Sequence, residues 1–286
     1  MIAGLDHVVL LLSDIAAGTA AYEALFGRAP SWRASGDGSD RVLFALDNMT
    51  LELMSPSGQS IAADRIRTVI KLGGEGLASI CFSTNDIARM HRRLERVALQ
   101  PDPITEAEGQ DTTSGAVLRW KRTRAKTELT RHVRMFFLEL EGQRPESPVT
   151  TDSPILGLDH VVISTEEPER AAALYGARLG LDMALDRTHQ EWGQLMFFRC
   201  GDLIVEVVRR PVAGGDENRD KLWGLSWRVA DIDATRQRLI GAGIGASEVR
   251  IGRKAGTRVM SLRNGACGVQ TLLLERTPKP VAAAEA

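Results

Sequence analysis

Apolar residues recur along this chain in four sets that follow one order. Short runs rich in β-branched and aliphatic side chains occupy residues 7–13, 79–84, 160–165 and 226–230, and such runs predict half-buried or buried strands. A polar turn with an acidic residue follows each, then an Ala/Arg/Leu-rich amphipathic stretch, as at 87–99, 169–179 and 232–242. Within the first of these, Ile87, Met90, Leu94 and Val97 stand at helical spacing. Asn85-Asp86 and Asp231 occupy the positions where an N-cap is wanted. Further strand-like segments come next, at 41–46 and 49–54 early in the chain and at 195–200 and 203–208 later. The pattern predicts an α+β fold built from a β-α-β-β-β unit used four times.

The unit is a true repeat. Residues 4–9 read Gly-Leu-Asp-His-Val-Val, and residues 157–162 are the same six. Weaker echoes at 76–80 and 224–228 mark the second and fourth units. A polar, proline-rich stretch between the halves reads as a linker. The expected organisation is one two-unit domain over 1–142, a linker over 143–155, a second two-unit domain over 156–276, and a flexible tail over 277–286. Segment 56–75 is an extra connection with a helical part near 62–70, and the acidic, turn-rich stretch 102–114 reads as a surface loop.

Composition narrows the class. The chain has 286 residues, 43% hydrophobic and 26% charged, as a globular protein of two domains does. Its 36 basic and 37 acidic residues give a formal charge of −1, which supplies no global attraction to nucleic acid or an anionic membrane. No apolar run approaches the roughly 18–20 residues of a membrane span. Cys81, Cys200 and Cys267 are far apart and odd in number, as suits a reducing compartment. A cytoplasmic location is therefore expected, with a monomer or homodimer equally admissible.

Paired β-α-β-β-β units that open with Gly-Leu-Asp-His-Val-Val, with a lone Glu inside the last strand, resemble the vicinal oxygen chelate superfamily. This group includes glyoxalase-like lyases, epimerases, extradiol ring-cleaving dioxygenases and drug-resistance binding proteins. The resemblance spans nearly the whole chain and implies four βαβββ units forming two paired, open-barrel domains. It also implies one divalent metal ion per working cavity (Fe, Mn, Ni or Zn), held by a His of the first strand and a Glu of the fourth.

Carried over residue by residue, the resemblance gives His7 and Glu52 in the first unit and His160 and Glu206 in the third. The spacing within each pair is nearly the same, 45 and 46 positions. Strand alternation supports both glutamates independently: Thr50, Glu52 and Met54 share one face, as do Ile204, Glu206 and Val208. A Glu there is costly to bury unless its charge is matched. The even units depart from the pattern, with Ser79 and Trp227 where His is expected. Glu139 stands at the expected place in the second unit, whereas the fourth has only Glu275, at the strand's end. If adjacent units pair, the N-terminal cavity holds His7, Glu52 and Glu139, the last doubling as general base. Pairing of the first unit with the third would instead assemble His7, Glu52, His160 and Glu206 in one site.

Other residues qualify as substrate contacts. His132, seven positions before Glu139, is a candidate for the N-terminal cavity wall. Arg253 and Arg258 lie in the basic stretch 250–258, and a second basic stretch covers 119–124. Both suit a carboxylate or phosphate better than nucleic acid, for which no stacking platform is present. Trp227 would form a wall against a planar ligand; Trp32, Trp120, Trp192 and Trp223 are the remaining tryptophans. The first expectation is a metal-dependent lyase or isomerase acting on a small oxygen-chelating molecule. An Fe(II) ring-cleaving dioxygenase is the alternative, weakened by a fourth unit without His. A metal-free binding or resistance protein is the third.

Overall fold

The computed structural model describes residues 1–190, 193–210, 219–263 and 266–276; Trp192 and the expected tail at 277–286 lie outside them. The first unit comprises β1 (Ile2–Leu11), α1 (Ile15–Phe26), β2 (Trp32–Gly36), β3 (Ser39–Ala45) and β4 (Thr50–Pro56). Helix α2 (Ile61–Gly73) leads to the second unit: β5 (Gly76–Thr84), α3 (Ile87–Arg96), β6 (Thr105–Gln110), β7 (Val117–Arg124) and β8 (Arg134–Glu141). The third has β9 (Ile155–Thr165), α4 (Pro168–Ala172) running into a π-helical turn at Ala173–Arg178, β10 (Asp182–His189), β11 (Gly193–Cys200) and β12 (Leu203–Arg209). The fourth has β13 (Lys221–Val229), α5 (Ile232–Gly241), β14 (Arg250–Ile251), β15 (Thr257–Ser261) and β16 (Gln270–Arg276).

Adjacent units pair. The strands form two eight-stranded sheets of identical plan, β2-β3-β4-β1-β5-β8-β7-β6 and β10-β11-β12-β9-β13-β16-β15-β14. The seam of each is the antiparallel contact of its two opening strands, β1 with β5 and β9 with β13. His7 and Glu52 thus belong to one sheet and His160 and Glu206 to the other, so the single four-residue site is not assembled.

The helices begin where the sequence supplies caps. Asp14, Asp86 and Asp231 each accept backbone N–H groups of the first turn, satisfying donors a helix start leaves open. Ile87, Met90 and Leu94 then face the core. One contiguous core serves both halves, and Phe26 of α1 meets Trp227 of β13 edge-to-face with ring centroids 4.9 Å apart. Arginines bridge the halves: Arg238 donates to the Ala24 and Leu25 carbonyls, Arg178 to those of Val97 and Ala98. Arg131 inserts between Glu167 and the fully buried Asp220 carboxylate. Among the described residues no helix is long and apolar enough to cross a membrane.

One segment differs from expectation. The stretch read as a surface loop at 102–114 contains β6, whose Glu106 and Glu108 pair across the hairpin with Lys121 and Arg119. Charged cross-strand pairs stabilise it in place of an apolar face. The same pairs occupy much of the basic stretch 119–124.

Candidate functional site

The concave face of the N-terminal sheet is organised by a bulge. The register of β1 on β5 steps from Leu5 opposite Phe82 to His7 opposite Cys81, leaving Asp6 as an extra residue. Such a bulge re-aims side chains, and here it brings the Asp6 carboxylate to 2.5 Å from His7 Nδ1. On the ring's other side, His7 Nε2 lies 3.4 Å from Glu52 Oε2. Both carboxylates are held in turn: Arg144 pairs with Asp6, and Arg41 Nε is 3.8 Å from Glu52 Oε1. The result is a carboxylate–imidazole–carboxylate row in which Asp6 fixes the Nδ1 proton and Nε2 faces Glu52.

The C-terminal sheet repeats this row. Its register steps from Leu158 opposite Trp227 to His160 opposite Ser226, which leaves Asp159 as the extra residue. His160 Nδ1 is 3.0 Å from Asp159 and Nε2 is 3.1 Å from Glu206. Asp159 is held by Arg228 and Arg276. Burial works against a charged His7, yet the Cys81 sulfur and the Asp6 carboxylate raise it to about 10. Burial alone would raise Asp6 and Asp159, but their histidine and arginine partners hold both below the usual carboxylate range. Burial raises the Cys81 thiol, and it raises Glu206 despite nearby His160, Arg253 and Arg210.

The even units bring different chemistry to the concave faces. Cys81 lies opposite His7 and Phe136 opposite Cys81; in the other sheet Ser226 and Leu272 hold the matching places. Glu139, expected in the cavity, is three residues further along β8, on the face it shares with the buried Met135 and Phe137. Its carboxylate accepts the Ile87 backbone N–H at 2.7 Å, at the start of α3. Glu275 does the same for Ile232 N–H of α5 at 2.9 Å. Both are helix caps.

Further candidates are relocated. Trp227 is fully buried beside Phe26, because the bulge turns Ser226, and not Trp227, toward the concave face. His132 sits at a φ of +67° in the turn after a short 3-10 helix (Thr127–Thr130), away from the cavity lining. Arg258 is tied to Asp233 and Glu275 on the helix side. Arg253 is exposed between β14 and β15 and close enough to Glu206 to favour its charged form.

The N-terminal row opens into a cavity of about 450 Å³ that His7, Glu52 and Cys81 help to line. Trp32 of β2 packs with Leu43 and Leu118 in a small apolar cluster against which Trp120 rests. Gly109 of β6 makes room for the two indoles, since a Cβ there would lie 3.3 Å from the Trp120 ring. The sheet's outer strands are stapled together. Arg33 N–H donates to Asp111 Oδ1 at 2.7 Å, and Thr112 N–H donates to the Arg33 carbonyl at 2.8 Å.

The donors of this row suit a divalent ion. The His7 and Glu52 ligand atoms, 3.4 Å apart, can each lie about 2.1 Å from one cation, at a ligand angle near the tetrahedral value. Donor atoms of Asp6, His7 and Cys81 also lie within 4.8 Å of one another. Imidazole, carboxylate and thiol together match the borderline ions such as Zn or Fe. Sequence reasoning gave no role to Asp6, Asp159, Cys81, Arg41 or Arg144. The aspartates were signalled by their place immediately before His in both copies of the hexapeptide.

Comparison with known proteins agrees with this architecture. The glyoxalase-like domain family matches residues 5–155, and the glyoxalase/bleomycin resistance protein/dioxygenase superfamily matches residues 159–260. Among curated proteins none matches by sequence. A mutant 4-hydroxymandelate synthase from Streptomyces coelicolor is 13% identical with a TM-score of 0.69, covering 96% of this chain and 93% of its own. A hypothetical protein from Staphylococcus aureus is 11% identical with a TM-score of 0.63, covering 95% and 98%. A catechol 2,3-dioxygenase is 13% identical with a TM-score of 0.62, covering 98% and 90%. At these identities the likeness establishes the fold and leaves the reaction to the residues. Two family matches in tandem, on two sheets of one plan with a His–Glu pair in each, make this chain a member of the vicinal oxygen chelate superfamily.

Proposed function

We propose that the N-terminal cavity is the working site of a metal-dependent lyase or isomerase acting on a small organic molecule with neighbouring oxygens. The observation that carries this reading is the Asp6–His7–Glu52 row opening into the cavity of about 450 Å³. His7 Nε2 and the Glu52 carboxylate would hold one divalent ion, and Cys81 lies beside them, grouped with Asp6 and His7. When bound, such an ion supplies Lewis acidity to substrate oxygens. The chain's own residues do the remaining work. Asp6 keeps the proton on Nδ1 and orients the imidazole, and Arg144 holds Asp6. Trp32, Leu118 and Phe136 keep water from one wall of the cavity. With Glu139 engaged as a helix cap, Glu52 is the carboxylate beside His7 that can take a substrate proton and return it.

The test is metal content after reconstitution with Mn, Fe, Ni or Zn, together with proton exchange from 2-hydroxy and 2-oxo acids in D₂O followed by NMR. About one ion per chain, retained in Glu206→Ala and lost in Glu52→Ala along with exchange, supports the reading. A wild-type protein that takes up no metal overturns it. Oxygen consumption with a catechol would move the reaction to the oxygenases. A metal-free binding protein is favoured by the apolar Phe136 and Leu272 that the even units place beside Cys81 and Ser226, and it predicts ligand affinity unchanged by chelator.

A further inference from the structure

The charges that line the N-terminal cavity are almost all matched. Arg144 is paired with Asp6, Arg41 approaches Glu52, and Arg119 binds Glu108. Asp111 is satisfied by Ser114 and by the Arg33 amide. Asp37 stands at the exposed tip of the β2–β3 hairpin, on the rim. Arg122 is the exception among the cations: it lines the cavity with no carboxylate within 4.0 Å among the described residues, and its guanidinium lies 5.9 Å from the Phe136 ring centroid.

Leu118, Trp120 and Arg122 alternate along β7 and share the concave face. Trp120 and Arg122 are therefore about 6.8 Å apart along the strand. An indole surface is thus followed along the strand by an exposed guanidinium fork that has no carboxylate partner among the described residues. Guanidinium forks recognise planar oxyanions bidentately, and aromatic faces stack on planar π-systems.

From this arrangement we infer that the cavity selects a planar aromatic carboxylic acid, with the carboxylate on Arg122 and the ring against Trp120 and Phe136. The inference rests on the N-terminal cavity being the working site, and it names the substrate class of that site. Arg122 is then the residue that sets preference for an acid over its neutral analogue.

Isothermal titration calorimetry with 2-naphthoate and 2-naphthamide tests this on the full chain, for wild type, Arg122→Gln, Trp120→Ala and Glu52→Ala. The expected result is saturable naphthoate binding by wild type, weakened at least tenfold in Arg122→Gln and in Trp120→Ala. The amide should bind wild type and Arg122→Gln alike, at the weaker level. Equal naphthoate affinity in wild type and Arg122→Gln, equal affinity for acid and amide, or no saturable naphthoate binding to a wild type with intact circular dichroism overturns the inference. Glu52→Ala separates the two readings. Metal loss without loss of naphthoate binding there leaves each standing, whereas a metal-free wild type that still prefers the acid sinks the lyase and keeps the acid site.

Discussion

The two halves share one plan and one Asp–His–Glu row, yet they finish their barrels differently. In the N-terminal half β6 has six residues, and its far end is bonded to β2 through Asp111 and Thr112. Tryptophans from β2 and β7 then line a defined cavity. In the C-terminal half the matching last strand, β14, has two residues, both exposed, and the opposite edge strand β10 is largely solvent-facing. The imidazole–carboxylate row is common to both halves. What sets them apart is the enclosure around it: the same donors can be kept through duplication while the walls that define a ligand diverge.

The comparison is broken most severely at its tryptophans. Trp227→Ala should cost about 3–5 kcal/mol in urea unfolding, because it empties a filled core position. Trp120→Ala, on the cavity side, should cost roughly 1 kcal/mol or less. The opposite ranking would place Trp227 on a ligand surface after all. Next in size is the support of the histidines. Asp6→Asn should lower metal affinity about 10–100-fold by chelator competition, whereas Asp159→Asn should leave occupancy of the N-terminal row unchanged.

A smaller effect should be shared by the two halves. Glu139→Ala and Glu275→Ala each remove a charged acceptor from a helix start, so each should destabilise by about 1–2 kcal/mol without altering ligand affinity. If Glu139→Ala abolished binding while Glu275→Ala did not, the assignment of Glu139 as a cap alone would be wrong.

The smallest effect is a pH dependence confined to the N-terminal half. Burial would raise Asp111, but hydrogen bonds from Ser114 and from the Arg33 amide hold it below its ordinary value. A depressed carboxyl contributes stability in full above its unfolded pKa, about 3.9, and loses it as pH falls through the folded value. Amide exchange protection of Arg33 and Ser114 should therefore be constant above about pH 5 and decline below about pH 4. Asp111→Asn should lower protection at every pH.

Unit order and the four-fold repeat were legible from the hexapeptide at 4–9 and 157–162, and the face of Glu52 from the alternation of β4. Elsewhere the alternation was ambiguous or broken. In β8 both faces are apolar, with Met135 and Phe137 on one and Phe136 and Leu138 on the other. Only the register on β5 decides that Glu139 points to the helix. A period of two puts Asp6 and His7 on opposite faces, so their contact depends on a bulge that no residue type announces. The strand β6 was hidden for another reason, since its acids alternate with Thr, Ala and Gly and are matched only by cations eleven to fifteen residues later.

The bridging arginines bear on how the chain is made. Arg178 and Arg238 satisfy the terminal carbonyls of α3 and α1, and Trp227 covers Phe26. On the ribosome the N-terminal half is complete well before any of these residues emerges. Until then it exposes an apolar face and the last carbonyls of two helices, and its folding is finished only when the second half arrives to cover them. A chain arrested near the linker is therefore expected to be a substrate for chaperones and proteases, whereas a nick in the linker after synthesis should leave the two fragments associated.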